Sequence, residues 1–182
     1  ASRGLGDVYK RQPLMAKFNH LGEAQSIRGL AQYTEEIRER FVNLAISYNI
    51  NIITGSMPLL KEDGALYNVG YLIRRDGSYE MYEKVHVTPD EQKSWGLSGG
   101  KMVKTFDTDC ARIGVLICYD VEFPELARIM ADQGMQILFV PFLTDTQNGY
   151  SRVRVCAQAR AIENECFVVI AGSVGNLPRV HN

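Results

Sequence analysis

Residues Gly114-Val115-Leu116-Ile117-Cys118-Tyr119-Asp120-Val121-Glu122-Phe123-Pro124-Glu125 carry the decisive change of pattern in this chain. Ile113–Ile117 is a continuous apolar run, as expected of a strand buried on both faces. The period then shifts to that of a helix. Phe123, Leu126 and Met130 fall on one stripe, Pro124 occupies a first-turn position and Gly134 marks the stop. Working outward, Gln136–Pro141 predicts a second buried strand. Tyr150, Val153, Ala157 and Ala161 recur at helical spacing, and Cys166–Ala171 predicts a last strand. Strand–helix–strand–helix–strand over 113–171 implies an α/β layered fold around a largely buried sheet.

Upstream, Ile37, Phe41, Leu44, Ala45 and Tyr48 form the stripe of an amphipathic helix over Tyr33–Tyr48. Thr34 is its expected cap, and Glu35 and Glu36 suit the positive end of its dipole. A strand is expected at about 50–57. The runs 66–73 and 78–83 flank Arg74-Arg75-Asp76-Gly77, a hairpin signal. A second hairpin is expected around Thr108–Ala111, so the sheet should be mixed. Residues 1–12 have neither period and are set apart as a non-native or flexible segment, leaving 13–182 as one domain.

Composition narrows the function classes. The chain has 182 residues, 46% hydrophobic, with 20 Lys+Arg against 21 Asp+Glu. That is too apolar for a disordered protein, and too evenly charged to suggest nucleic acid or an anionic membrane as partner. No run approaches a membrane span, and the first residues carry no secretory apolar region. Cysteines at 110, 118, 156 and 166 match no C-x₂-C metal pattern and are too few for a disulfide scaffold. A reducing, cytoplasmic setting is the expectation.

Two stretches can hold chemistry. Cys118 stands where a buried strand gives way to a helix, an edge where α/β folds place their sites. Backbone N–H groups of the following turn, Tyr119 first, can face a developing oxyanion. The plain alternative is a small buried core residue, since free cysteine is among the most buried types. The second stretch is Tyr82-Glu83-Lys84-Val85-His86-Val87-Thr88-Pro89-Asp90-Glu91, where Lys84 ends a predicted strand and Thr88-Pro89 breaks it. A Lys84 cation near Cys118 would lower the thiol pKa and stabilise negative charge in the transition state. Alternatively it is a solvated lysine at a strand end. His86 offers a Cys–His pair or a half-buried strand histidine, and Glu91 alone is a loop carboxylate.

Together these segments resemble a known family. GVLICYDVEFPE resembles the nucleophile segment of the nitrilase superfamily, the carbon–nitrogen hydrolases, and YEKVHVTPDE resembles its lysine segment. AQARAIENECFVVIAGSVGN is similar to the helix and strand that follow. The resemblance implies an α/β four-layer αββα sandwich, here incomplete. It implies Cys118 as nucleophile forming an acyl-enzyme thioester, and Lys84 with the Tyr119 backbone N–H as oxyanion donors. Glu91 would orient Lys84 or the substrate, and Phe142, Leu143 and Thr144 after the QILFVP strand would line the pocket. The implied substrate is a small amide, nitrile or carbamoyl compound. No metal or organic cofactor is implied, and a homodimer or higher homo-oligomer is. Arg152, Arg154 and Arg160 are expected on a solvated or interface face.

One departure stands out. The family's general base is a glutamate in an apolar-Pro-Glu motif ending an early strand. The only glutamate before Tyr33 is Glu23, which follows no apolar run. The sequence is therefore expected to be a fragment truncated at both ends, weakly active or inactive alone. The competing expectations are acyl transfer to an amine, a non-catalytic interaction domain of the same fold, and a protease pairing Cys118 with His86.

Overall fold

The structure is a computed structural model that describes residues 17–18, 20–144, 146–173, 176–177 and 180–181. The segment 1–12 lies outside the described residues. Two compact units divide the chain, one drawn from Tyr9–Lys101 and the other from Met102 onward.

The first unit opens with helix α1 (Glu23–Leu30), a 3-10 turn at Ala31–Tyr33 and helix α2 (Thr34–Tyr48). Strands β1 (Ile52–Ile53), β2 (Met57–Leu60), β3 (Leu66–Ile73) and β4 (Tyr79–Glu83) follow, then helix α3 (Pro89–Trp95) and strand β5 (Leu97–Ser98). Strand β3 is the hub. It pairs antiparallel with β1, β2 and β4, and parallel with β5. The β3–β4 hairpin turns where Asp-Gly predicts it. Gly77 takes φ 88°, and the Asp76 carboxylate accepts from the Ser78 N–H at 2.8 Å and its hydroxyl at 2.7 Å.

Helix α2 buries Phe41 and Ala45 against Tyr67, Val69, Tyr71 and Ile73 of β3. The outer members of its predicted stripe, Leu44 and Tyr48, are exposed. Thr34 does not cap the helix. It is buried and its hydroxyl donates to the Pro58 carbonyl at 2.6 Å, tying α2 to β2. The strand expected at 50–57 is split because Thr54 interrupts the ladder. Its hydroxyl accepts from the Tyr71 N–H at 2.8 Å, its own N–H reaches the Tyr71 carbonyl at 2.9 Å, and its carbonyl accepts from the Tyr82 hydroxyl. The Tyr82 ring lies over Gly70, where a Cβ would stand 2.5 Å from it.

Burial pushes the Tyr71 phenol up to about 12 from an ordinary 10, with Glu35 adding and Arg38 opposing. Between those pH values the unfolded chain releases this proton while the native chain keeps it. Its stabilising contribution is whole below pH 10 and lost as pH rises toward about 12. Tyr71→Phe should therefore flatten the alkaline fall of the urea midpoint. Equal slopes in the two proteins would contradict this assignment.

The second unit contains strands β6 (Thr105–Asp107) and β7 (Arg112–Val115), a 3-10 turn at Cys118–Glu122 and helix α4 (Pro124–Asp132). Strand β8 (Ile137–Phe142), helix α5 (Gln147–Asn164), strand β9 (Phe167–Gly172) and the short pair β10 (Asn176–Leu177) and β11 (Val180–His181) complete it. Its sheet runs β6-β7-β8-β9, antiparallel at the β6–β7 hairpin and parallel thereafter. This is the mixed sheet with helical crossovers that the period changes predict. Gly114 lets β7 pack on α4, since a Cβ there would stand 2.7 Å from Met130 Sδ and 2.4 Å from Met135 Sδ.

The last strand forms as expected, but it ends the sheet order, with Phe167 77% exposed and Val169 exposed beside it. On α5 the buried residues are Val153, Ala157 and Arg160, while Tyr150 turns outward.

Candidate active site

The lysine segment is built by β3 and a capped helix. Lys84 continues the ladder one residue beyond β4, donating its N–H to the Asn68 carbonyl at 2.9 Å and accepting from the Gly100 N–H at 2.7 Å. Its side chain is 2% exposed. Its ammonium meets both carboxylate oxygens of Glu91, at 2.7 Å and 2.6 Å. Thr88-Pro89 does more than break the strand. Thr88 caps α3, its hydroxyl accepting from the Glu91 N–H at 3.2 Å, and Glu91 Oε2 accepts from the Thr88 N–H at 2.7 Å. This reciprocal box fixes the carboxylate that Lys84 meets. The T-x-x-E spacing is its signal in the sequence, and Thr88 is the residue missed there. His86 lies half-buried on the same segment.

Cys118 lies in the second unit. β7 ends, and Cys118 opens the 3-10 turn with φ 49°, in the left-handed region. Asn49 and Glu165 also have positive φ, but both close helices, where that conformation is ordinary. At the exit of a strand, a non-glycine residue held there is strained, and such strain clusters at functional sites. Cys118 is half-buried, with its thiol 3.7 Å from the Leu143 carbonyl just past β8. The turn is tied internally: the Asp120 N–H donates to the Ile117 carbonyl at 3.1 Å, and the fully buried Asp120 carboxylate accepts from the Ile117 N–H at 3.3 Å.

Tyr119 follows in the turn, its ring edge-on to Phe123 at 5.0 Å. Of the residues after β8, it is the Leu143 backbone that meets Cys118. The Phe142 ring lies 6.1 Å from that of Tyr150, and Thr144 is half-buried near Gly149.

One arginine of the expected solvated face is misplaced by that reading. Arg154 is exposed, and Arg152 is exposed while pairing with Glu122 at 2.5 Å, but Arg160 is buried and donates to the Val121 carbonyl at 3.0 Å. The other half-buried cysteines lie in quieter surroundings. Burial pushes the Cys156 thiol up, with nearby Glu122 adding to it, and burial alone pushes up Cys166. Among the described residues, no cluster of His, Cys, Asp or Glu is placed to hold a metal ion. None of the described helices is long and apolar enough to cross a membrane.

The family model for carbon–nitrogen hydrolases matches residues 13–181, a span that includes both the strained cysteine and the buried lysine–glutamate pair. The chain belongs to that family. It is 50% identical over 169 residues to the probable hydrolase YhcX of Bacillus subtilis, a match covering 93% of this chain and 33% of that protein. It is 32% identical over 169 residues to a deaminated glutathione amidase of Synechocystis, covering 86% of this chain and 61% of the relative. Among solved structures it resembles Saccharomyces cerevisiae Nit3, a member of branch 10 of the nitrilase superfamily. There the TM-score is 0.72 at 31% identity, over 79% of this chain and 53% of that one. The fold is thus the α/β architecture of the nitrilase type. The chain spans between a third and about three fifths of these relatives' length.

Proposed function

We propose that this chain carries the nucleophile and the oxyanion-stabilising lysine of a hydrolase that cleaves small, non-peptide amides through a cysteine thioester. Cys118 attacks the carbonyl carbon. The proton leaves the thiol for a general base and ends on the departing amine as the C–N bond breaks. Water then resolves the thioester to a carboxylic acid and restores the thiol. The tetrahedral oxyanion is held by the Lys84 ammonium and the Tyr119 backbone N–H. An ammonium has three donors, and among the described residues two are turned to Glu91, leaving the third for this charge. Glu91 is the positioning partner, and Phe142 and Thr144 are the proposed pocket residues. The chemistry asks for no cofactor. The Synechocystis relative, named as a deaminated glutathione amidase, supports an amide as substrate. Exposed apolar side chains at Val155, Ile162 and Phe167 support a homo-oligomer, and a reducing, cytoplasmic setting suits cysteines kept as thiols at 110, 118, 156 and 166.

The observation that carries this reading is the left-handed backbone of Cys118 at a strand's end. The test is stoichiometric acylation. Incubated with p-nitrophenyl acetate, the chain should gain one acetyl group, mapped by mass spectrometry to Cys118 and released by hydroxylamine. Acetylation spread over lysines, or placed on another cysteine, would end the proposal. His86→Ala should leave the acylation intact, and its loss would favour a Cys–His pair instead.

A further inference from the structure

Two arginines of α5 grip the turn that presents Cys118, and they differ in kind. Arg152 reaches Glu122 at 2.5 Å and stands 5.9 Å from the Tyr119 ring centroid, but its side chain is 60% exposed. A pair so open to water is screened and restrains little. Arg160 is 5% exposed. Its Nε donates to the Val121 carbonyl at 3.0 Å, across 39 positions of sequence, and its Nη1 is bonded to Glu163 on its own helix. A guanidinium is a rigid fork, so holding one prong on Glu163 fixes where the other points.

The difference matters because of what lies three residues before Val121. A cysteine at φ 49° relaxes to an ordinary conformation unless its surroundings over-determine it. The bonds between Ile117 and Asp120 are local and travel with the turn if it swivels. The Arg160–Val121 bond is buried, charge-assisted and anchored in a different element.

Resting on the reading of Cys118 as nucleophile, we propose that Arg160 is a positioning residue for it. Arg160 pins the Val121 carbonyl to α5, and so holds the Cys118 backbone in the conformation that presents its sulfur.

The test is alkylation of the 182-residue chain by iodoacetamide from pH 6 to pH 9, with each cysteine followed by mass spectrometry. In the unaltered chain Cys118 should label fastest. If it labels no faster than Cys110, the nucleophile reading itself fails. Given that preference, Arg160→Met should slow Cys118 about tenfold at pH 7 and raise the midpoint of its pH profile. Arg160→Lys, which keeps the charge without the fork, should slow it about threefold. Arg152→Met removes the same charge from the same helix and should change the rate by less than about twofold. Folding is read in the same spectra from Cys166, half-buried with its thiol 3.8 Å from the Arg160 carbonyl, which stays slow in a folded chain. A folded Arg160→Met protein with an unchanged Cys118 rate and midpoint overturns the proposal, as does Arg152→Met slowing Cys118 equally. Should Arg160→Met unfold, the lysine variant decides: slowed while folded supports the proposal, and the original rate refutes it.

Discussion

Lys84→Met is expected to cut the acylation rate of Cys118 by about 10²- to 10³-fold, the range for losing one oxyanion donor. It should also destabilise the chain by about 3–5 kcal/mol, because a buried pair broken on one side leaves its partner's charge uncompensated. Both parts follow from the geometry. The ammonium is 2% exposed and sits 2.6 Å from a carboxylate that is itself 10% exposed. Methionine matches the lysine stem but gives Glu91 no donor, so among the described residues the Thr88 N–H is the donor left on that carboxylate. The two effects can be separated. Adding Glu91→Leu to Lys84→Met removes the stranded charge and should return most of the lost stability in urea denaturation. It should return none of the acylation rate, since no cation has been restored. If the double variant regains the rate, Lys84 acts only as a structural member of the pair and the oxyanion role is wrong.

That pair shows where a sequence is informative. The residues Lys84 and Glu91 could be picked out, but their contact depended on a turn taken only as a strand break. Thr88, Pro89 and Glu91 occupy the cap, first and third positions of α3, a local code that places the glutamate side chain back over the helix start. Seven residues of separation then close to hydrogen-bonding distance. The hairpin at Asp76-Gly77 and the alternation of β7, α4, β8, α5 and β9 were legible for the same reason, because each rests on local periodicity or turn chemistry.

What stayed hidden depends on contacts distant in sequence. The break at Thr54 arises because its hydroxyl takes the Tyr71 N–H, 17 positions away. Thr34 looked like a cap because a hydroxyl near a helix start usually is one, yet Pro58 offers its carbonyl. Arg160 falls among arginines on a helix whose face cannot be oriented until the turn it packs against is known. The strand over β9 was legible from its apolar run, but its place at the end of the sheet order is set by topology.

The second large effect concerns Cys118, where stability and chemistry pull apart. A residue at φ 49° would be glycine if folding alone decided, since any Cβ costs about 1–2 kcal/mol in the left-handed region. Cys118→Ala and Cys118→Gly should both abolish acylation and labelling at this position, because each removes the sulfur. They should differ in stability. Alanine keeps the backbone strain and loses the thiol's contact with the Leu143 carbonyl at 3.7 Å, whereas glycine loses the same contact but relieves the strain. The glycine variant should therefore be about 1 kcal/mol more stable than the alanine variant in urea denaturation, less whatever the unfolded chain gains from glycine's freedom. An alanine variant more stable than the glycine variant by about 0.4–1 kcal/mol, the unfolded-chain effect alone, would mean that the turn is unstrained at 118. The sulfur would then occupy this position without a conformational cost, and the case for a functional outlier there would fail. The measurement needs no substrate and no turnover, so it tests the strain argument independently of whether this chain hydrolyses anything.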